Sequence, residues 1–242
     1  MLDDRRLCVA FLALVVAGSF ALSRGEEPRP VQAVRVMVVT GGHPYDTSFE
    51  SLFEGYKEIV AKVYPWDVAY KRDFRPSVDV LVLYNLTQEI DQVERKNLQD
   101  FVESGKGLVV LHHAIASYWK TWPWYQEVTG AKYFLKTEGD IPASKPTMGQ
   151  QMLARPVGEH PITAGLGPLR WEEEAYKGMV ISPAVKVLLE TDNPASERQL
   201  AWISPYQKSR VVVILAGHDR KAHLYPGYRT LIKNAILWSA GR

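Results

Sequence analysis

The sequence has a single cysteine, Cys8, among its 242 residues. That cysteine lies in an apolar N-terminal segment, so the rest of the chain contains no thiol. This absence excludes a disulfide framework and a cysteine nucleophile from the main part of the protein. Any chemistry there has to use other side chains.

The sequence also lacks blocks of like charge. The formal net charge is +2, and lysine and arginine are interspersed with acidic residues. Nothing therefore marks a nucleic-acid-binding surface. With 46% hydrophobic and 23% charged residues, the composition is typical of a globular protein with a sizeable core, organised as one large domain or two small ones.

No apolar run reaches the roughly 20 residues that comfortably span a bilayer. The longest, Leu7 to Leu22, follows Arg5 and Arg6 and precedes a polar stretch. This pattern predicts a signal peptide or an uncleaved N-terminal anchor over residues 1–25, with a linker over 26–33. We therefore expect an exported protein, periplasmic or secreted, with any membrane contact confined to this segment.

From residue 34 onward, apolar β-type runs alternate with amphipathic stretches, which is typical of βαβ units and a parallel sheet. The pattern predicts a single α/β domain of three layers over residues 34–242. Between Ala131 and Pro168 it dissolves into an irregular segment with a short strand at Gln150–Val157. The remaining predicted strands are Val34–Thr40, Trp66–Tyr70, Val78–Tyr84, Gly107–Leu111, Leu169–Lys177, Val185–Thr191, Leu200–Ile203 and Val211–Ala216. The predicted helices are Ser48–Val63, Gln88–Ser104 and Tyr228–Ser239.

The strand Gly107–Leu111 runs into a turn where related architectures present a nucleophilic serine or cysteine. Here the turn carries His112 and His113 instead. Because the two are adjacent, one imidazole can face a site easily while the other packs beneath it. The sequence predicts that at least one of them is functional.

Other polar residues also follow predicted strands, at the sheet edge where ligands of open parallel sheets bind. They are His43, Asp46, Asn85, His218 and Asp219. A strand around residues 171–176 adds Glu172, Glu174 and Tyr176 on one face and Glu173 on the other, by alternation. Such convergence suits a small polar ligand, although His43 could equally be an ordinary loop residue.

These residues bear on two classes of cofactor, nucleotides and divalent metals. Gly41-Gly42 lacks the later glycine of a dinucleotide fingerprint and any Gly-Lys-Ser/Thr, so no nucleotide is expected. Histidines and carboxylates on several loops would allow a divalent metal, but no His-x-x-x-His pair fixes a ligand set. No cofactor is evident, and the metal ligands stay unassigned.

Several motifs together resemble the ThuA-like family, named for trehalose utilisation. The resemblance covers about residues 34–242 and implies a glutamine amidotransferase-like fold, which is a flavodoxin-like, doubly wound, mostly parallel sheet. Family elbows typically lack the amidotransferase cysteine, as here, so glutamine amidotransfer is not expected. Glu173 stands where the family often has aspartate. The motifs are Val-Thr-Gly-Gly-His-Pro-Tyr-Asp (39–46), Gly-Leu-Val-Val-Leu-His-His-Ala (107–114), His-Pro-Ile-Thr-Ala-Gly-Leu (160–166), Glu-Glu-Ala-Tyr-Lys-Gly-Met (173–179), Gly-His-Asp (217–219) and Asn-Ala-Ile-Leu-Trp (234–238).

The resemblance implies a sugar or sugar derivative as ligand, such as a 3-keto glycoside related to trehalose. Eliminating an aglycone beside a ketone needs one base and one acid, and no covalent nucleophile. We hypothesise that His113 or His218 is the base. Glu174 would orient an imidazole, and Tyr176 would serve as acid or oxyanion donor.

The remaining residues are assigned to ligand binding. His43, Asp46, Asn85, His112 and Asp219 would contact the ligand. Trp119, with its neighbours at 122 and 124, would form an aromatic wall for a sugar face or simply pack in the core. The alternative function is a non-catalytic carbohydrate-binding or pathway-accessory protein that uses the same pocket.

Overall fold

The computed structural model of the protein describes residues 32–242, which form one compact unit. The signal or anchor segment predicted over residues 1–25, and most of the linker, lie outside these residues. Among residues 32–242, no helix has the length and apolar character needed to cross a membrane.

A sheet of nine strands forms the centre of the fold, in the order β2-β1-β3-β4-β11-β10-β9-β6-β7. Strands β2, β1, β3, β4 and β11 are parallel, and the strands after β11 continue the sheet antiparallel. The strands are β1 Val34–Gly41, β2 Ile59–Pro65, β3 Val80–Asn85, β4 Gly107–Leu111, β5 Ala131–Lys132, β6 Lys145–Pro156, β7 Leu169–Lys177, β8 Val180–Ile181, β9 Lys186–Glu190, β10 Gln199–Ile203 and β11 Val211–Ile214. β5 and β8 form a separate two-stranded sheet.

Helices cover both faces of the sheet, which gives the three layers predicted from the sequence. The α-helices are α1 Trp66–Ala69, α2 Gln92–Glu103, α3 Pro123–Thr129, α4 Arg220–His223 and α5 Pro226–Ser239, and the 3₁₀ helices are Thr47–Phe53, His112–Ala116 and Pro161–Thr163. Alternate residues of β1 enter two apolar cores: Val36 and Val38 pack on the α5 side, and Met37 and Val39 on the α2 side. The predicted α/β class is confirmed, and the run of antiparallel strands is an addition to it.

The predicted helix Ser48–Val63 is wrong after its first two turns. A 3₁₀ helix ends at Phe53, Gly55 turns the chain with φ +83°, and β2 begins at Ile59. The apolar residues of this stretch fit both a helical and an alternating period. Pairing of β2 with β1 in parallel register decides for the strand.

The predicted strand Trp66–Tyr70 is also wrong, because these residues form the short helix α1 and its C-cap. Helix α2 begins four residues later than predicted, at Gln92. There Asp91 and Glu94 form a capping box that fixes the helix start. The segment predicted to be irregular contains β6, a 12-residue strand between β9 and β7. A register shift between Thr147 and Gln150 interrupts its pairing and obscures its period in the sequence.

Gly107 allows the last turn of α5 to lie directly on the start of β4. A Cβ at this position would come within 2.6 Å of the Ser239 carbonyl oxygen and 2.7 Å of its Cβ. We expect Gly107→Ala to lower the free energy of unfolding by about 1–3 kcal/mol through overpacking. Gly167→Ala is the matched control, because nothing lies within 4 Å of its added Cβ, and it should change stability by no more than about 0.5 kcal/mol. Urea denaturation of both variants tests this, and equal effects would contradict the close approach.

Candidate active site

The elbow after β4 places two buried histidines at the carboxyl edge of the parallel strands. His112 is the first residue after β4 and has φ +49°. Within residues 32–242, Tyr118 is the one other non-glycine residue with a positive φ. Such a conformation is unfavourable for residues other than glycine, and it persists where surrounding contacts hold it. With His112 in this conformation, the His112 and His113 side chains point to different partners.

His112 is the centre of a compact polar cluster. Its Nδ1 donates to the Leu215 carbonyl oxygen at 2.8 Å. Its Nε2 lies 3.0 Å from Glu174 Oε2, 3.1 Å from His218 Nδ1 and 2.9 Å from the Tyr176 hydroxyl. The ring is fully buried and stacks on Tyr176 at 4.9 Å between centroids. The cluster therefore joins β4, β7 and the loop after β11.

Glu174 and His218 form the accessible part of this cluster. Glu174 Oε2 lies 3.1 Å from His218 Nδ1, and the two side chains are 13% and 23% exposed. The hydrogen bond to Glu174 raises the pKa of His218 above its usual value, although burial opposes this. Burial would raise the pKa of Glu174, but the neighbouring imidazoles of His112 and His218 outweigh burial and lower it. The arrangement favours a carboxylate paired with a protonated imidazole.

His113 lies apart from that cluster and faces a different histidine. Its Nε2 donates to the Tyr84 carbonyl oxygen at 3.0 Å, and its ring stacks on His43 with centroids 4.8 Å apart. Burial, together with the neighbouring His112 and His43, lowers its pKa to about 3. His113 is therefore uncharged near neutral pH. Its Nδ1 is left as a lone pair without a hydrogen-bond partner in the described part of the chain.

Glu173, for which no role was predicted from the sequence, is the buried residue that positions the His218 loop. Its carboxylate accepts hydrogen bonds from the backbone N–H groups of Gly217 at 2.8 Å and His218 at 3.0 Å. It also accepts from Trp171 Nε1 at 2.7 Å and from the Glu174 N–H at 2.9 Å. A signal was present in the sequence, since alternation along β7 puts this acid on the buried face with Trp171 and Ala175.

A second set of contacts supports the same loop from the other side. The Tyr84 hydroxyl donates to the Gly217 carbonyl oxygen at 2.7 Å, and His223 Nε2 donates to it at 3.0 Å. His223 Nδ1 then accepts from the Ser48 hydroxyl at 2.9 Å. Gly217 has φ +119°, and a Cβ there would collide with the Tyr228 hydroxyl. His223 is fully buried and acts as a structural anchor.

Of the other predicted ligand-binding residues, two have local structural contacts. Asp46 caps the first 3₁₀ helix and Asp219 caps α4, each through one carboxylate oxygen. The Asn85 side chain is buried, and neither of its polar atoms has a partner among residues 32–242. Trp119 is half-buried after the elbow.

The two tryptophans that follow Trp119 pack in the core. Trp122 and Trp124 stack on each other at 4.5 Å, and both pack in the core on the α2 side. For these two, the packing alternative describes the contacts that the structure shows.

The site thus contains two adjoining groups of side chains. His112, Glu174, His218 and Tyr176 form one polar group. Within it, His218 and the Tyr176 hydroxyl can donate protons to a ligand oxygen, and the group could instead hold a cation. In that group, three potential ligand atoms, from His112, Glu174 and His218, lie within 4.8 Å of one another. His43 and His113 form the second group, with uncommitted imidazole nitrogens. The His112 and His113 rings, 5.3 Å apart, connect the two groups.

Comparisons with known proteins agree with this architecture. A family model described as "ThuA: Trehalose utilisation" matches residues 28–239. A ThuA-like protein from Parabacteroides merdae superposes with a TM-score of 0.76 at 15% identity, covering 86% of this chain and 90% of that one. A second, from Bacteroides uniformis, gives 0.63 at 19% identity, with coverages of 89% and 95%. A cytoplasmic protein from Salmonella typhimurium gives 0.62 at 14% identity, with coverages of 85% and 99%. None of the curated proteins matches the sequence. At these identities the structural likeness shows the fold.

Proposed function

This chain belongs to the ThuA, or trehalose utilisation, family, and from that membership and the site geometry we propose that it cleaves an oxidised sugar by acid–base chemistry. The proposed substrate is a 3-keto glycoside such as a trehalose derivative. The observation that carries the proposal is the Glu174–His218 pair at 3.1 Å, set beside Tyr176 and His112 in a partly open site. No covalent nucleophile is required.

The proposed reaction moves one proton and involves no net oxidation. A base removes the proton from C2, which the neighbouring ketone makes acidic, and the C–H electrons form an enolate. The enolate then expels the glycosidic oxygen from C1, and an acid protonates that oxygen as it leaves. The products are the free alcohol and an unsaturated 3-keto sugar.

The side chains divide between the two roles. His218 is assigned as the acid, because its hydrogen bond to Glu174 favours the protonated imidazole. The Tyr176 hydroxyl would stabilise the enolate oxygen, and His112, stacked on Tyr176, would position it. His113 is a poor base, since its pKa is lowered to about 3. We assign the base to His43, whose Nδ1 lies 2.7 Å from the Pro44 carbonyl oxygen and donates to it, so that Nε2 keeps its lone pair.

The proposed ligand is a small sugar, and no nucleic-acid partner is proposed. The protein is proposed to be exported, with any membrane contact made by its N-terminal segment. The His112, Glu174 and His218 donors would allow a divalent cation. A non-catalytic carbohydrate-binding protein with the same pocket is the competing function, and turnover separates the two.

We expect the purified protein to consume 3-keto-trehalose with release of glucose and to leave trehalose unchanged. His218→Ala should lower the rate by about 10²- to 10⁴-fold, the range for removal of an acid or base, and Tyr176→Phe by about 10²- to 10³-fold, the range for loss of one oxyanion donor. Sugar analysis by chromatography measures both substrates. His160→Ala, a histidine that caps a 3₁₀ helix, is the control and should keep full activity. Tight binding of the keto sugar without its consumption would favour the binding protein and refute the enzyme.

A further inference from the structure

We propose that His112, Glu174 and His218 form a binding site for a divalent transition-metal ion. The inference concerns the same pocket as the proposed reaction but does not depend on that reaction or on its substrate. It rests on the spacing of three atoms and on the number of protons available to them.

The spacing fits one face of an octahedral ion. The three atoms are separated by 3.0 Å (His112 Nε2 to Glu174 Oε2), 3.1 Å (His112 Nε2 to His218 Nδ1) and 3.1 Å (Glu174 Oε2 to His218 Nδ1). Octahedral bonds of about 2.1 Å hold neighbouring ligand atoms about 3.0 Å apart. Tetrahedral zinc bonds of about 2.0–2.1 Å would separate them by about 3.3–3.4 Å. Two imidazoles and one carboxylate on a single face are a recognised set for divalent transition metals.

The count of protons points the same way. The Leu215 carbonyl oxygen can only accept a hydrogen bond, so His112 Nδ1 must carry the ring proton. In the neutral ring, Nε2 then presents a lone pair. That lone pair lies 3.0 Å from Glu174 Oε2, which is also an acceptor. The Tyr176 hydroxyl, 2.9 Å away, can donate to Nε2, but the lone pair and the carboxylate still repel unless a positive charge, either a protonated His218 or a metal ion, lies beside both.

A metal ion would satisfy all three atoms at once, and the surrounding contacts hold them in place for it. His112 is fixed through Leu215, and Glu173 anchors the N–H groups of both Glu174 and His218. Such contacts behind the ligands are typical of metal sites, because they set the orientation of each ligand. Glu174 and His218 are partly exposed, so one side of the ion would stay open to water or a ligand. There it could polarise a carbonyl oxygen.

The test is metal binding itself, measured apart from any sugar chemistry. The full protein is treated with a chelator, dialysed, and titrated with Co²⁺ by visible absorption and with Mn²⁺ by calorimetry. We expect one equivalent of each ion to bind. Glu174→Gln and His218→Gln should each weaken binding at least 100-fold, whereas His160→Gln, outside the cluster, should leave it unchanged. Thermal unfolding of the metal-free proteins identifies a variant that has failed to fold, and the other variant then carries the comparison.

Each outcome bears on the metal site independently of the reaction. Less than about a tenth of an equivalent bound to the wild-type protein would overturn the inference in favour of a shared proton. Binding that survives in both cluster variants would overturn it as well. Stoichiometric binding without consumption of 3-keto-trehalose would support the metal site and refute the reaction. Consumption by protein that binds neither ion would do the reverse.

Discussion

Replacing Glu173 with alanine is expected to lower the free energy of unfolding by about 3–5 kcal/mol. The substitution leaves four N–H donors without their acceptor in a buried environment, and each unsatisfied group costs about 1–3 kcal/mol before relaxation. The donors belong to Trp171, Glu174, Gly217 and His218. Urea denaturation gives the change directly. Because the loop that carries His218 loses its anchor, we also expect the proposed activity to fall below detection.

The neighbouring residue supplies a matched control. Glu172 is 39% exposed and pairs with Lys221 at the surface, so Glu172→Ala should cost no more than about 1 kcal/mol. Glu173→Gln keeps the shape of the side chain but turns an NH₂ group toward the donors, and its cost should fall between the two. A Glu173→Ala variant as stable as Glu172→Ala would show that the four hydrogen bonds contribute little.

Acidification from pH 7.5 to pH 4.5 is expected to remove about 2.5–3 kcal/mol of stability through His113 alone. Its pKa is about 3 in the folded protein and about 6.5 in an unfolded chain. The unfolded state therefore binds the proton more readily. Stability is complete above about pH 6.5 and falls by about 1.4 kcal/mol per pH unit below it, until the pH approaches 3. Urea denaturation at several pH values measures the slope.

His113→Phe isolates this contribution, because phenylalanine keeps the stacking on His43 and does not titrate. The variant loses a hydrogen bond to Tyr84 and will be less stable at pH 7.5, so the comparison is between slopes. Burial also lowers the pKa of His223, but that residue is present in both proteins. The raised pKa of His218 acts with the opposite sign and is likewise common to both. Identical slopes for the two proteins would contradict the assigned state of His113.

Four of the five parallel strands, β1, β3, β4 and β11, could be predicted well from the sequence. β4 has the predicted bounds, because its five consecutive buried residues are too few for a helix and lie between Gly105 and the turn at His112. β2 was missed because its apolar residues satisfy two periods, and only its pairing with β1, a contact distant in sequence, selects the strand. The antiparallel pairing of β6 depends in the same way on partners that the local pattern does not reveal.

The proximity of several candidate residues could be predicted from the sequence, but their pairings could not. Sheet-edge reasoning selected the histidines and Glu174, which the structure does bring together. It could not separate the roles of His112 and His113, since the positive φ of His112 decides where each ring points. Glu173 was overlooked because the role of a buried carboxylate can be assigned only once its hydrogen-bond donors are known. Two of those donors come from residues 217 and 218, which are distant in sequence.

The position of β11 has a consequence for the order in which the protein forms. β11 pairs with β4, yet about 100 residues separate the paired positions Leu108 and Val211. Closing so long a loop is slow, so contacts of this kind belong to late stages of folding. During synthesis, β1, β3 and β4 can assemble well before the His218 loop emerges from the ribosome. The elbow histidines would then lie beside an unpaired edge of β4, and a nascent chain stalled before residue 211 would expose that edge to aggregation.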